Sequence, residues 1–177
     1  MNYWDTSALL KLYVPEDDSG HFLDLVVASD QPIVSSAIAA AEMLCALYRK
    51  ECAGDLKSGG ALATYREFLG DCKAGRIVLV PYGEQVFTAA EEIVRLAFRR
   101  AQPVMVRSLD AIHVASAVTA RARIMVATDT RLRQVAAMAK LKLARISHTP
   151  PPDVARALVP AVSRLISTRF PGRDKVS

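Results

Sequence analysis

Four carboxylates stand where an unpaired charge is costly. Asp5 follows Tyr3-Trp4, Glu42 lies among Ala40, Ala41, Met43 and Leu44, Asp110 precedes Ala111-Ile112, and Asp129 follows Val126-Ala127-Thr128. Such residues are seldom placed in apolar stretches for packing. Gathered in one pocket they would repel and raise one another's pKa values, and a divalent cation relieves that repulsion. An all-oxygen donor set suits Mg²⁺ or Mn²⁺ rather than zinc. Water on such an ion is a nucleophile near neutral pH, and a second ion can stabilise a leaving oxygen. Phosphodiester hydrolysis needs this equipment and no nucleophilic side chain.

Each residue alone has a plainer reading. Asp5 and Asp129 sit where strands end and helices begin, positions that also suit a helix cap. Asp110 falls in the first turn of a helix, where the helix dipole favours negative charge. Glu42 is harder to explain, although one exposed stripe of its helix would suffice. His113 shares a helix face with Asp110 and reads as a structural histidine. Lys11, Arg107, Arg131 and Arg133 lie near the acids and could touch phosphates, with solvated surface charge as the default. The metal-site reading rests on the four acids together.

The elements that must position them alternate between strand and helix. Short apolar runs predict strands at Asn2–Trp4, Pro32–Ser35, Arg76–Val80, Ile124–Ala127 and Leu143–Ile146. Helices are expected over Ser7–Val14, His21–Ser29, Ala37–Glu51, Ala61–Lys73, Glu84–Arg100, Leu109–Arg121 and Arg131–Ala139. Ser35 or Ser36 and Ser108 are the expected caps of the third and sixth helices. The small residues of the sixth predict a close neighbour. Alternation of this kind predicts a parallel sheet covered on both faces, with ligands outside the carboxyl ends of the strands.

The chain has 177 residues, about half of them hydrophobic, and a formal charge of +5. That length fits a main domain over 1–149 and an appendage. Pro150-Pro151-Pro152 divides them, and 150–177 reads as a basic, helical C-terminal extension kinked at Pro160. The extension supplies most of the net charge, so global charge alone is weak evidence for a nucleic-acid partner. Cys45, Cys52 and Cys72 show no C-x-x-C spacing, which argues for reduced thiols in a cytoplasmic protein. No signal peptide or membrane-spanning run is visible.

The motifs Asp5-Thr6-Ser7-Ala8-Leu9-Leu10-Lys11, Glu42 in its Ala-rich helix, and Leu109-Asp110-Ala111-Ile112-His113-Val114-Ala115-Ser116-Ala117 resemble the PIN-domain nucleases. More narrowly they resemble VapC-type toxins of toxin–antitoxin pairs. The resemblance spans about residues 1–147. It implies a PIN-like α/β/α sandwich with a central parallel sheet of about five strands. It also implies Mg²⁺- or Mn²⁺-dependent endoribonuclease activity on RNA, a VapB-like antitoxin and commonly a homodimer. The family's acidic quartet falls on Asp5, Glu42, Asp110 and Asp129, with Asp5 and Asp110 as central metal ligands. Ser7 and Thr128 would support the shell. The family usually carries that second hydroxyl two positions before the last Asp, where this chain has Ala127. Two other classes compete: a PIN-like module that binds RNA or protein without turnover, and a haloacid-dehalogenase-type phosphatase. The latter expects an Asp where Ser7 stands.

Overall fold

The computed structural model describes residues 1–146. The expected boundary after 149 and the helix beyond Pro150 lie outside the described residues. The elements run β1 (Asn2–Trp4), α1 (Thr6–Leu10), α2 (Ser19–Val27), β2 (Ile33–Ser36), α3 (Ala39–Cys52), α4 (Gly60–Lys73), β3 (Ile77–Val80), α5 (Glu84–Phe98), α6 (Ser108–Thr119), β4 (Ile124–Val126), α7 (Thr130–Met138) and β5 (Lys142–Leu143). The strands form one parallel sheet, flanked by helices, in the order β3-β2-β1-β4-β5. Parallel neighbours need long crossover connections, and these helices supply them. Among the described residues, no helix is long and apolar enough to cross a membrane.

The order reverses direction at β1. From β1 the chain builds outward through β2 and β3, then returns to the other side of β1 with β4 and β5. The β1–β4 register pairs Asn2 with Ile124, Tyr3 with Met125 and Trp4 with Val126. It continues one step further, because the Asp5 amide donates to the Val126 carbonyl at 3.1 Å.

Contacts cluster into two interleaved units. The first holds Met1–Ala8, Ile33–Ala39 and Leu79–Arg145. Its core joins Tyr3, Val34, Ile93, Val114, Met125 and Val135. The alanines of α6 make the close approach that its small residues predict: Ala111, Ala115 and Ala117 are all buried in this core. Two buried serines here are satisfied, as burial demands. Ser35 Oγ donates to the Trp4 carbonyl at 2.8 Å, and Ser116 Oγ donates to Ser36 Oγ at 3.0 Å. Those serines therefore belong to β2 and do not cap α3. Ser108 is likewise the first residue of α6, with Arg107 at the N-cap.

The second unit includes Leu9–Pro32 and Ala40–Val78. The helix expected over Ser7–Val14 stops at Leu10 and continues as turns. Phe68 meets Tyr13 edge-on and stacks on Tyr65. Tyr13 donates its hydroxyl to Asp71 at 2.5 Å, and Arg76 reaches the other oxygen of that wholly buried carboxylate at 2.7 Å. Burial and the Asp71 charge push the Tyr13 phenol well above its ordinary pKa, so it remains a donor. Losing one donor to such a group costs about 1–3 kcal/mol. Lys11 pairs with Glu16 at 2.5 Å and Asp18 at 2.6 Å, and Lys50 pairs with Glu16 and Asp55 at 3.0 Å.

Two predictions follow from this unit. Burial alone would raise the Glu16 carboxyl, but hydrogen bonds from Lys11 and Lys50 outweigh it and hold its pKa below the ordinary glutamate value. A depressed folded pKa stabilises the fold above the ordinary glutamate value, and that contribution is lost as pH falls through the folded one. Denaturation midpoints of Glu16→Gln should therefore fall less steeply on the acid side than wild type; parallel acid limbs would refute the network's role. Burial, then the Asp71 charge, pushes the Cys72 thiol up to about 11. Thiol titration of the native chain at neutral pH should show Cys45 and Cys52, both exposed, reacting quickly and Cys72 slowly.

Candidate functional site

Asp5 and Asp129 follow the carboxyl ends of the paired strands β1 and β4, and Asp110 belongs to the same unit. Asp5, 4 % exposed, follows the last residue of β1. Its Oδ1 accepts from the Ala8 amide at 2.8 Å, which holds the start of α1. Its Oδ2 accepts from Ser7 Oγ at 2.6 Å. Ser7 Oγ also lies 2.7 Å from Thr128 Oγ1. A serine hydroxyl has one proton, and Ser7 gives it to Asp5, so Thr128 is the donor in the second bond. The displaced hydroxyl at 128 thus reaches Ser7 despite its position directly before Asp129.

Asp129 ends the short connection after β4 and caps α7. Its Oδ1 accepts from the Arg131 amide at 2.7 Å and the Leu132 amide at 3.1 Å. The plain reading of Asp129 is therefore correct, but it occupies one oxygen only. The residue is exposed.

Asp110 is in the first turn of α6 and accepts from the backbone of Arg107. The residue is half-buried, yet its Oδ2 is sealed from solvent and has no hydrogen-bond partner among the described residues. Burial raises the Asp110 pKa first; the Arg107 backbone bond lowers it, and the Asp129 charge raises it again. The Arg107 and Arg131 charges also act on it, both lowering it. The coupling joins Asp110 to Asp129, while the Ser7–Thr128 bond joins Asp5 to the residue before Asp129. Beneath Asp110 on the same helix, His113 is buried, its Nδ1 hydrogen-bonded to the Tyr3 hydroxyl at 2.7 Å.

Glu42 belongs to the second unit, half-buried in the first turn of α3. Of the four cations, two are already engaged. Lys11 serves Glu16 and Asp18, and Arg133 donates to the carbonyls of Ala127 at 3.0 Å and Ala144 at 3.1 Å. Arg133 thereby ties α7 to the ends of β4 and β5, a structural duty. Arg107 and Arg131 remain beside the carboxylates.

The donor chemistry fits a hard divalent cation. A sealed, unpartnered carboxylate oxygen beside a second carboxylate is a costly arrangement that a cation would relieve. Mg²⁺ is commonly bound by one or two carboxylates with water completing its shell. Among the described residues no three His, Cys, Asp or Glu side chains stand close enough to form a closed cage.

Arg100, Gln102 and Gln134 escaped the motif-based reading. They line, with Arg131 and Met105, a groove of ≈ 710 Å³ between the segment after α5 and α7. Charge distribution could have found Arg100, though not the two glutamines. Residues 93–145 hold eleven basic side chains and two acids, and those two acids are Asp110 and Asp129.

Because the folded chain raises the Asp110 pKa, its ionised carboxylate opposes folding at neutral pH, and the opposition grows as pH rises from the ordinary aspartate range. Without divalent metal, Asp110→Asn should therefore raise the thermal midpoint at neutral pH, with the gain shrinking in acid. A lower midpoint for the variant at neutral pH would contradict this account.

The PIN domain family model matches residues 3–138. No curated protein matches. Among solved structures, the chain resembles VapBC2 from Rickettsia felis bound to a DNA fragment from its promoter, with TM-score 0.58 and 15 % identity over 83 % of this chain and 100 % of that one. It also resembles FitAcB from Neisseria gonorrhoeae, with TM-score 0.56 and 19 % identity over 82 % of this chain and 97 % of the other. FitAB bound to an IR36 DNA fragment gives TM-score 0.54 and 19 % identity over 81 % and 94 %. These likenesses concern the fold, and the family match extends from β1 through α7: the chain belongs to the PIN domain family.

Proposed function

We propose that this chain is a Mg²⁺- or Mn²⁺-dependent endoribonuclease acting as a VapC-type toxin, neutralised by a cognate VapB-like antitoxin. The observation that carries the reading is the junction of β1 and β4. There Ser7 and Thr128 link Asp5 to the residue before Asp129, and the Asp129 charge acts on Asp110, which has an unpartnered oxygen. PIN family membership supports a hydrolase acting on nucleic acid. The likeness to VapBC2 and FitAB supports an antitoxin partner.

In this reading Asp5 and Asp110 are the central ligands, Asp129 completes the site in part through water, and Glu42, by family resemblance, would hold a metal or position the attacking water. The cation would supply an activated water and charge neutralisation at the scissile phosphate. The chain's own groups do the positioning. Ser7 fixes Asp5 Oδ2, and Thr128 fixes Ser7. Asp129 caps α7 with one oxygen, and the other takes no part in that cap. Arg107 and Arg131 offer guanidinium groups to phosphate oxygens. RNA is the substrate, the cytoplasm the setting and a homodimer the assembly.

Purified protein should cleave RNA with added Mn²⁺, and both chelator and Asp5→Asn should reduce cleavage to background. Cleavage that persists in chelator would sink the proposal. The absence of a ready three-carboxylate cage among the described residues favours the alternative, a binding module without turnover. Calorimetry separates them: heat of Mn²⁺ binding to wild type that disappears in Asp110→Asn supports the nuclease, and no heat from wild type supports the module.

A further inference from the structure

We propose that the groove between the segment after α5 and helix α7 holds the phosphate backbone of a single-stranded polynucleotide as it leads to the carboxylates. This rests on the nuclease reading for its destination but on separate residues for its chemistry. The groove contains two guanidinium groups, Arg100 and Arg131, two amides, Gln102 and Gln134, and no carboxylate. Arg100, Gln102 and Gln134 are exposed, so their polar ends are available. Arginine presents a planar fork that matches phosphate oxygens, and neutral amides can meet sugar hydroxyls and base edges.

Arg131 connects this groove to the site. It lines the groove, and its charge also acts on Asp110. A strand that follows the arginines therefore arrives beside the carboxylate pair. The surrounding sequence reinforces the field: Arg99, Arg100 and Arg107 lie in a stretch, residues 96–109, with no acidic residue, while Arg95 just before it pairs with Glu91 at 3.7 Å. A low-dielectric cleft of one sign concentrates an oppositely charged ligand.

Met105 argues for an unpaired strand. It lines the groove at 66 % exposed, an apolar and deformable surface left open to solvent. Among nucleic acids, an unstacked base presents a face to such a side chain and a paired, stacked one does not. Single-strand sites characteristically combine a basic groove with apolar platforms for bases. The floor is fixed where it meets α5, because the Val104 amide donates to the Ala97 carbonyl at 3.1 Å.

The test is fluorescence anisotropy of a fluorescein-labelled single-stranded oligoribonucleotide with the full chain, in chelator so that binding is read without cleavage. Arg100→Glu should weaken binding about tenfold and make the dependence on log salt shallower by roughly 0.7 per lost phosphate contact. Gln134→Glu, on a different element, should weaken it in the same direction. Unchanged affinity and salt slope in both variants would overturn the proposal. So would a loss confined to antitoxin affinity, which would make the groove a peptide site. Binding by wild type that Arg100→Glu weakens, with no Mn²⁺-dependent cleavage, would keep the groove and remove the nuclease. Cleavage by wild type with unaltered binding by the variants would do the reverse.

Discussion

The parallel register between β1 and β4 is the constraint on which the site depends. It places the residue after Trp4 beside the segment that follows Val126. In open α/β sheets a ligand crevice forms where successive connections leave in opposite directions, and here that point lies between these two strands. A slip of one residue would turn Asp5 toward the opposite face of the sheet. Each of these strands has only three residues. The register must then be secured by what surrounds it: Ser35 on the Trp4 carbonyl, Tyr3 on His113, and Arg133 bridging the ends of β4 and β5.

The fold also tolerates an unfavourable electrostatic arrangement at this point. Every other buried polar side chain discussed in the first unit is satisfied, whereas Asp110 keeps a sealed oxygen without a donor. Packing gives no reason for that, because an apolar residue of similar size would be cheaper to bury. Local physical rules tend to fail where a protein keeps a function. The charge segregation is of the same kind, since the only acids of residues 93–145 act on each other within a basic segment.

Much of this was legible in the residues, and the exceptions share a cause. Alternating apolar runs revealed the strands and helices to within a few residues, and the small residues of α6 announced its close packing. The serines at 35, 36 and 108 misled, because a serine before a helix resembles a cap until its neighbour across the sheet is known. Strand order was invisible for the same reason: pairing is non-local. Lys11 and Arg133 looked free in sequence, and only the folded chain shows the carboxylates and carbonyls that claim them. Thr128 seemed one position out of register with the family, yet the connection after β4 delivers its hydroxyl to Ser7. The groove was missed because motifs were sought around the acids and not in the distribution of the bases.

The double duty of Asp129 has a consequence for descent. One oxygen carries the first turn of α7, and asparagine accepts those same amide hydrogens about as well as aspartate. A single base change in the gene can therefore remove a negative charge from the site while leaving the helix start intact. Asp5, which carries α1 through one oxygen and accepts from Ser7 through the other, has no comparably free atom in the bonds described. On the function proposed above, lineages of this fold can thus lose the charge at Asp129 sooner than at Asp5, and keep the start of α7 as they do so.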